Sequence, residues 1–462
     1  MQNKMRRIGK VIACSSLTAL PMHAAAASQA AVSSQADREQ PNIILIMTDQ
    51  QTADAMSNRG NQHLQTPAMD RLAADGIVFT RAYCAYPLSG PSRASIMTGK
   101  MPNQVSVLEN NDPLPDEEKE KTLGFTMQAA GYDCLYAGKW HIPTVELPDG
   151  EFGFRKVCGM YDPDMALHID RVLSEEREKP FFLVASYLNP HEICEYARSQ
   201  TLPYGEVTIP DDAVLPELPA NFNATDGLPE LLMHHKRMSP RLYPTENYTE
   251  RDWQNYLYAY HRLVERVDAH IAELIRLLEE KGLYDNSVII FTSDHGEGVA
   301  AHRWNQKRAL FEETTRVPLI VKPPKGELPA KQREIDALVN TGIDLYPTLC
   351  DYGNASIPNG LHGISLKRII NGTAEPHQSI FIETHLDAIN GRAWCVIKGN
   401  YKYAFYRFFK EREQLFDLSK DRGETTNLVH DPEYALIYQE MKEEMKQHAK
   451  RIGDKMLIRE LK

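Results

Sequence analysis

The stretch Asn42-Ile43-Ile44-Leu45-Ile46-Met47-Thr48-Asp49-Gln50-Gln51 decides how the chain is read. It is a continuous apolar run of strand length that ends in polar side chains. An unbroken run is what a strand buried on both faces of a parallel sheet requires. Open α/β sheets keep their ligand sites beyond the carboxyl ends of such strands, where Thr48 to Gln51 lie. Further runs of the same kind are Phe181–Tyr187, Val288–Thr292, Val317–Val321 and Ile380–Glu383. Between them Leu257, Tyr260, Val264, Val267, Ile271, Leu274 and Leu278 recur at helical spacing and stop at Gly282. Strands alternating with helices predict an α/β fold, a mostly parallel central sheet covered by helices on both faces.

Moving outward, the pattern changes near Trp394 to short strand-like pieces, Trp394–Lys398 and Lys402–Tyr406, followed by a charged amphipathic helix over roughly 432–451. This predicts a small C-terminal antiparallel α+β subdomain at 376–462, after a catalytic α/β domain at 41–375. Leu202–Pro244 carries seven prolines and little periodicity. It reads either as an insertion near the mouth of the site or as a solvated excursion.

At the other end, Lys4, Arg6, Arg7 and Lys10 precede a short apolar stretch, Val11–Pro21, and the small residues Ala24 to Ala27. This is the layout of a secretory signal peptide at 1–27, with a polar linker at 28–40. The expectation is an exported protein, periplasmic first, with no transmembrane segment in the mature chain. A lipid anchor at Cys14 or release outside the cell are the alternatives.

Composition narrows the class. The 462 residues are 42% hydrophobic and 25% charged, which excludes a disordered or multi-span membrane protein. A net charge of −11 with no basic tract argues against nucleic acid as a partner. Cys84, Cys134, Cys158, Cys194, Cys350 and Cys395 include no C-x-x-C pair and read as free core thiols.

The densest chemistry lies in Tyr86-Pro87-Leu88-Ser89-Gly90-Pro91-Ser92-Arg93, which runs on to Thr98-Gly99. Pro91 and Ser92 suit a helix start and Gly99 its end, placing Ser89 just before a helix N-terminus, where backbone N–H groups favour an anion. Arg93 lies one turn on and can aim its fork of donors at the same place. An ordinary capped helix with a surface arginine has the same pattern.

A Cys or Ser followed by x-Pro-Ser-Arg and a short run to Thr-Gly resembles the type I sulfatases, of the alkaline-phosphatase-like superfamily. Ser89 fits the register, with Pro91 at plus two and Arg93 at plus four. Cys84 does not. Further blocks match in order: Asn42 to Asp49, Thr66 to Gly76, Gly138-Lys139-Trp140-His141, Asn189-Pro190-His191, Ser293-Asp294-His295-Gly296-Glu297, Lys307 to Pro318, and Leu415 to Leu428.

The resemblance implies oxidation of Ser89 to formylglycine by a maturation enzyme. It also implies one Ca2+ held by Asp49, Gln50, Ser89, Asp294 and His295. Gln50 and His295 stand where the family often has Asp and Asn. The implied reaction hydrolyses the sulfate ester of a sulfated saccharide (a glycosaminoglycan, mucin or algal glycan fragment). Arg93, Lys139 and Lys307 would hold the sulfate oxygens, His191 would protonate the departing oxygen, and His141 would take a proton back from the formylglycine hydrate. His302, Trp304 and Asn305 lie between the metal turn and Lys307, so they are candidate pocket residues, with burial as structural side chains the alternative. His385 and Arg392 are candidate sugar contacts.

Two other readings use the same residues. A phosphomonoesterase or phosphodiesterase would need a second metal, for which Asp164, His168 and His385 show the spacing. A glycan-binding protein would keep Ser89 unoxidised.

Overall fold

The computed structural model describes residues 40–148, 150–329, 333–386 and 390–462. The expected signal peptide and all but the last residue of the linker lie outside them. Pro41–Lys462 forms one compact unit.

The main sheet has eight strands: β1 (Asn42–Asp49), β2 (Ile77–Tyr83), β3 (Asp133–Gly138), β4 (Arg155–Cys158), β5 (Phe181–Pro190), β6 (Ser287–Ser293), β7 (Leu319–Lys322) and β8 (Glu334–Asn340). Their spatial order is β4-β3-β5-β1-β6-β7-β2-β8. β1 lies centrally, parallel to β5 on one side and β6 on the other. Ile43 to Met47 are fully buried, and alternate residues enter different cores. Ile44 and Ile46 pack with the long helix Glu250–Glu280, while Ile43, Leu45 and Met47 pack with the helices Ser89–Thr98 and Thr341–Tyr352. A one-residue slip would exchange the two sets between the cores and spoil the packing of both, although no side chain would reach water.

The helix Glu250–Glu280 starts in a capping box between Thr249 and Asp252 and stops before Gly282, whose φ is +67°. A second sheet, β9 (Ser379–Leu386), β10 (Gly391–Lys398), β11 (Tyr401–Tyr406) and β12 (Glu413–Asp417), is antiparallel in the order β12-β11-β10-β9. The helix Ala435–Ile452 covers it through Met441, Met445 and Ala449.

The sheet therefore has the α/β character expected, with two corrections. Ile380–Glu383 belongs to the second sheet. Val317–Val321 enters as β7 running antiparallel to both β2 and β6. β2, β3, β4 and β8 had not been singled out in the sequence. The motif Thr80-Arg81 interrupts β2, and β8 begins with exposed Glu334 and Asp336 alternating with buried residues, so neither shows an unbroken run. Leu202–Pro244 is mostly irregular but includes the helix Glu230–Met238. The six cysteines among the described residues are free, five of them buried. No helix among the described residues is long and apolar enough to cross a membrane.

Candidate active site

β1 and β6 are neighbours in register, Thr48 beside Ser293, so their carboxyl ends deliver Asp49 and Asp294 side by side. Beyond β1 the chain turns at Gln50 with φ +71°, a left-handed backbone that a non-glycine residue keeps only where its surroundings demand it. Here Gln50 N donates to Asp294 Oδ1 at 3.1 Å and Tyr260 Oη donates to Gln50 O at 2.9 Å. After β6, His295 N donates to the same Asp294 oxygen at 2.9 Å. Gly296 has no alternative, since a Cβ there would lie 2.0 Å from Glu313 O.

Ser89 is the first residue of the helix Ser89–Thr98, two positions before the start expected at Pro91, and all ten residues of that helix are buried. Its Oγ lies 3.0 Å from His295 Nε2 and 3.3 Å from Asp49 Oδ2. His295 Nδ1 is 2.8 Å from Gly296 O, which can only accept. The proton is thereby assigned to Nδ1, leaving a lone pair on Nε2 beside Ser89. Asp49, Asp294 and His295 offer ligand atoms within 4.8 Å of one another, the one such group of His, Cys, Asp or Glu among the described residues. Two carboxylates with an imidazole lone pair are a fitting donor set for a divalent cation, and Ser89 Oγ stands beside them, while Gln50 Oε1 accepts from Lys307 Nζ. Asp164 and His168 are not part of any such group. Asp164 is exposed ahead of the helix Met165–Leu173, which carries His168.

Arg93 is 1% exposed and spends four of its five N–H donors inside the protein. Nε binds Asp294 Oδ2 at 2.9 Å, one terminal nitrogen binds Asp49 Oδ2 at 3.0 Å, and the other binds Lys139 O at 2.8 Å and Ser186 Oγ at 2.7 Å. This corrects the expectation that Arg93 holds sulfate oxygens: it holds the two carboxylates in place. Lys139 Nζ lies 2.7 Å from Asp49 Oδ2. Its backbone turns into position because Gly138 has φ +95° and lies where a Cβ would meet Ser186 O at 2.0 Å. Lys307 Nζ donates to Gln50 Oε1 at 2.8 Å, and the Gln50 amide is fixed from its other end by Glu297 Oε2 at 2.5 Å. Glu297 is fully buried and also accepts from Tyr256 Oη at 2.6 Å and Gln306 N at 2.6 Å.

Burial alone would raise the Asp49 carboxyl, but Lys139, His191, Arg93 and Lys307 together hold it well below the usual carboxylate range. The same crowd of cations acts on the histidines. Burial first, then Lys139, pushes His141 down to about 2, and burial with Lys139 and Lys307 pushes His191 well below its ordinary value. His141 has φ +69°, and its buried Nδ1 has no hydrogen-bond partner. His191 Nδ1 lies 3.9 Å from Glu195, beyond a hydrogen bond. The site thus holds two imidazoles kept neutral by burial and by the cations beside them, an arrangement that an anion would relieve.

The remaining sequence candidates lie elsewhere in the packing. The His302 ring stacks on Phe311 at 4.3 Å, with Nδ1 2.6 Å from Ala224 O and Nε2 3.4 Å from Asn221. Trp304 is fully buried against Tyr243 and Phe311. Asn305 is fully buried between Thr245 and Leu242 O. These three are structural side chains, not the pocket lining expected, because the 202–244 segment and its continuation cover them. Arg392 is buried in the second sheet against Glu383 at 2.9 Å, over the Trp394 ring, which corrects its assignment to the sugar. His385 is held between Glu109 at 2.7 Å and Asn390 at 2.8 Å. Glu109 also pairs with Arg308, and the next residue, Asn110, accepts from Gly90 N at 2.9 Å, so this cluster borders the Ser89 turn.

Glu297, Ser186, Tyr256 and the Glu109–Arg308 pair were not assigned from sequence. Glu297 had a signal, as the last residue of the block Ser293 to Glu297. The others are single polar residues in strand, helix and loop, with no motif around them.

The sulfatase family model matches residues 41–355, and a model described as N-sulphoglucosamine sulphohydrolase, C-terminal, matches 300–451. A Delta 4,5-hexuronate-2-O-sulfatase of Bacteroides thetaiotaomicron is 29% identical, with 87% of each chain covered. An N-acetylglucosamine-6-O-sulfatase of the same bacterium is 26% identical over 94% of this chain and 91% of its own. Among solved structures, a putative sulfatase from Bacteroides thetaiotaomicron superposes with a TM-score of 0.79 at 27% identity, covering 90% of this chain and 93% of that one.

Proposed function

Since the chain belongs to the sulfatase family and is a sulfuric ester hydrolase, we propose that it removes sulfate esters from a sulfated saccharide outside the cytoplasm, using a formylglycine made from Ser89 and one Ca2+. The observation that carries this reading is the gathering of Lys139, Lys307, His141 and His191 about Asp49, whose carboxylate lies 3.3 Å from the Ser89 hydroxyl, with His295 on that hydroxyl's other side. Two saccharide sulfatases among the relatives support the substrate class. The basic and apolar segments at Lys4 to Pro21 support export.

Asp49, Gln50, Asp294, His295 and residue 89 would hold the metal, which supplies positive charge for a sulfate oxygen and for the nucleophilic oxygen. Formylglycine at position 89 supplies, once hydrated, a hydroxyl to attack sulfur and a second one for later release of sulfate. Lys139 and Lys307 offer the ammonium protons for the remaining sulfate oxygens, and Arg93 keeps the carboxylates from turning away. His191 gives a proton to the departing sugar oxygen. Burial, then Lys139 and Lys307, lower the basicity of His191, and a sulfate anion placed beside those two cations would offset their charges and favour the protonated form that donates. His141, held neutral by burial, has a lone pair free to accept the proton of the second hydroxyl.

The phosphatase alternative finds no support in the site, because Asp164, His168 and His385 stand apart, His385 being bound to Glu109 and Asn390.

The test is the mass of the tryptic peptide Ala82–Arg93 from protein made in its native host. A loss of two hydrogens at Ser89, with an aldehyde that traps a hydrazine, is the expected result. Release of sulfate from mono-sulfated hexuronates and hexosamines is then screened. An intact serine in protein that still hydrolyses sulfate esters would overturn the reading.

A further inference from the structure

One carboxylate beside the site has no part in the chemistry above. Glu192 follows His191 directly, yet its side chain is fully buried. Oε2 accepts from Asn189 Nδ2 at 2.6 Å and from Arg266 at 2.8 Å, and Oε1 accepts from Tyr204 N at 2.7 Å. A second carboxylate completes the hold on the same turn. Asp162, 1% exposed, accepts from Leu188 N at 2.8 Å and from Asn189 N at 3.0 Å. The turn's own backbone supplies His191 N to Leu188 O at 3.0 Å and Cys194 N to His191 O at 2.9 Å.

Arg266 belongs to the helix Glu250–Glu280, and that helix also reaches the metal-ligand side. Tyr260 holds Gln50 O, and Tyr256 holds Glu297, which holds the Gln50 amide. One rigid helix thus braces both the metal turn and the His191 turn.

A buried carboxylate is expensive, and an apolar side chain of similar volume would serve stability at least as well. What three accepted hydrogen bonds add is direction. A proton donor must stand within a few tenths of an ångström of its working place, and an error of one ångström can cost about 100-fold in rate.

We propose that Glu192, anchored by Arg266 and assisted by Asp162, is the positioning residue of His191 and sets where the imidazole meets the departing oxygen. This rests on the reading of His191 as general acid. Glu192 touches neither substrate nor metal.

The experiment uses matured, metal-loaded enzyme and two probes, phenyl sulfate and 4-nitrophenyl sulfate. The phenol leaves as a poor leaving group that gains from a proton, and the nitrophenol needs it far less. Glu192→Gln keeps the volume but turns one accepting oxygen into an NH2 that faces a donor. Its kcat on phenyl sulfate is expected to fall by about 10-fold or more, and on 4-nitrophenyl sulfate by less than about 3-fold, with KM for both nearly unchanged. Arg266→Ala, removing the anchor from the other side, is expected to show the same selectivity more weakly and serves if Glu192→Gln does not fold. His191→Ala is run alongside. Equal losses on both probes in the Glu192 and Arg266 variants, or no losses, while His191→Ala is selective, overturn the positioning role and leave the acid in place. An unselective His191→Ala overturns the acid assignment and the positioning role with it.

Discussion

The two sides of the site are built differently. On the carboxylate side, Asp49, Asp294, Arg93 and Lys139 are buried and joined by ion pairs of 2.7 to 3.0 Å. On the proton-transfer side, His141 leaves a buried nitrogen without a partner, and His191 is 3.9 Å from the nearest carboxylate. The first set must keep one charge state and one place through turnover. In the mechanism proposed above the second must change protonation in each cycle, and a strong fixed hydrogen bond would hold it in one state. Rigidity reaches His191 through the backbone of its turn, leaving the ring free to exchange a proton.

Breaking the charged side should do the most damage. Arg93→Met leaves Asp49 and Asp294 without their shared partner, so activity should fall below detection and stability by about 3–5 kcal/mol, read by urea unfolding of the metal-free protein. Chelation probes the same side from without. Dialysis against EDTA should abolish sulfate release, and added Ca2+ should restore it along with a higher Tm. Lys139→Ala should come next, lowering kcat/KM by about 10²–10³-fold while circular dichroism stays unchanged. Retained activity there would mean that Lys139 serves only to neutralise Asp49.

The proton-transfer side can be sharpened by pH. His141 is depressed to about 2 in the folded chain, so folding is penalised wherever the unfolded chain would take up the proton first. That contribution to stability is intact above the unfolded pKa of about 6.5 and is lost as pH falls from there toward 2. His141→Gln should therefore narrow the Tm difference between pH 8 and pH 5, and an unchanged difference would place the acid sensitivity elsewhere. The smallest effect on catalysis is expected for His302→Asn. KM and kcat should stay within about 3-fold while Tm drops, because the ring is spent on Phe311, Ala224 and Asn221. A large rise in KM would return His302 to the pocket lining.

Much of the charged side was legible in the chain. Asp49 and Asp294 follow apolar runs that can only be central strands, and Ser89 and Arg93 are four residues apart across a helix start. Those are local signals, set by strand and helix periodicity and by capping chemistry. His141 and His191 were legible only through resemblance, since a single histidine after a strand carries no pattern. Glu192 and Asp162 carried still less, and Glu297 was marked only as the last residue of the block Ser293 to Glu297. Their meaning comes from Arg266, the Leu188–Asn189 backbone and Gln50, which lie between 26 and 247 residues away.

By itself the sequence determined the α/β class, the strand that ends in Asp49, the helix start beside Ser89 and the kinds of charge the site would gather. These follow from short-range patterning, because burial on both faces of a strand and the start of a helix are decided within a few residues. The tertiary structure alone decided what each charge is for. It turned Arg93 from the substrate to the carboxylates, took His302, Trp304, Asn305 and Arg392 into the packing, and tied the His191 turn to the helix that braces the metal side. A guanidinium or a carboxylate has the same chemistry wherever it stands, and its role is set by which partners the fold brings within about 3 Å.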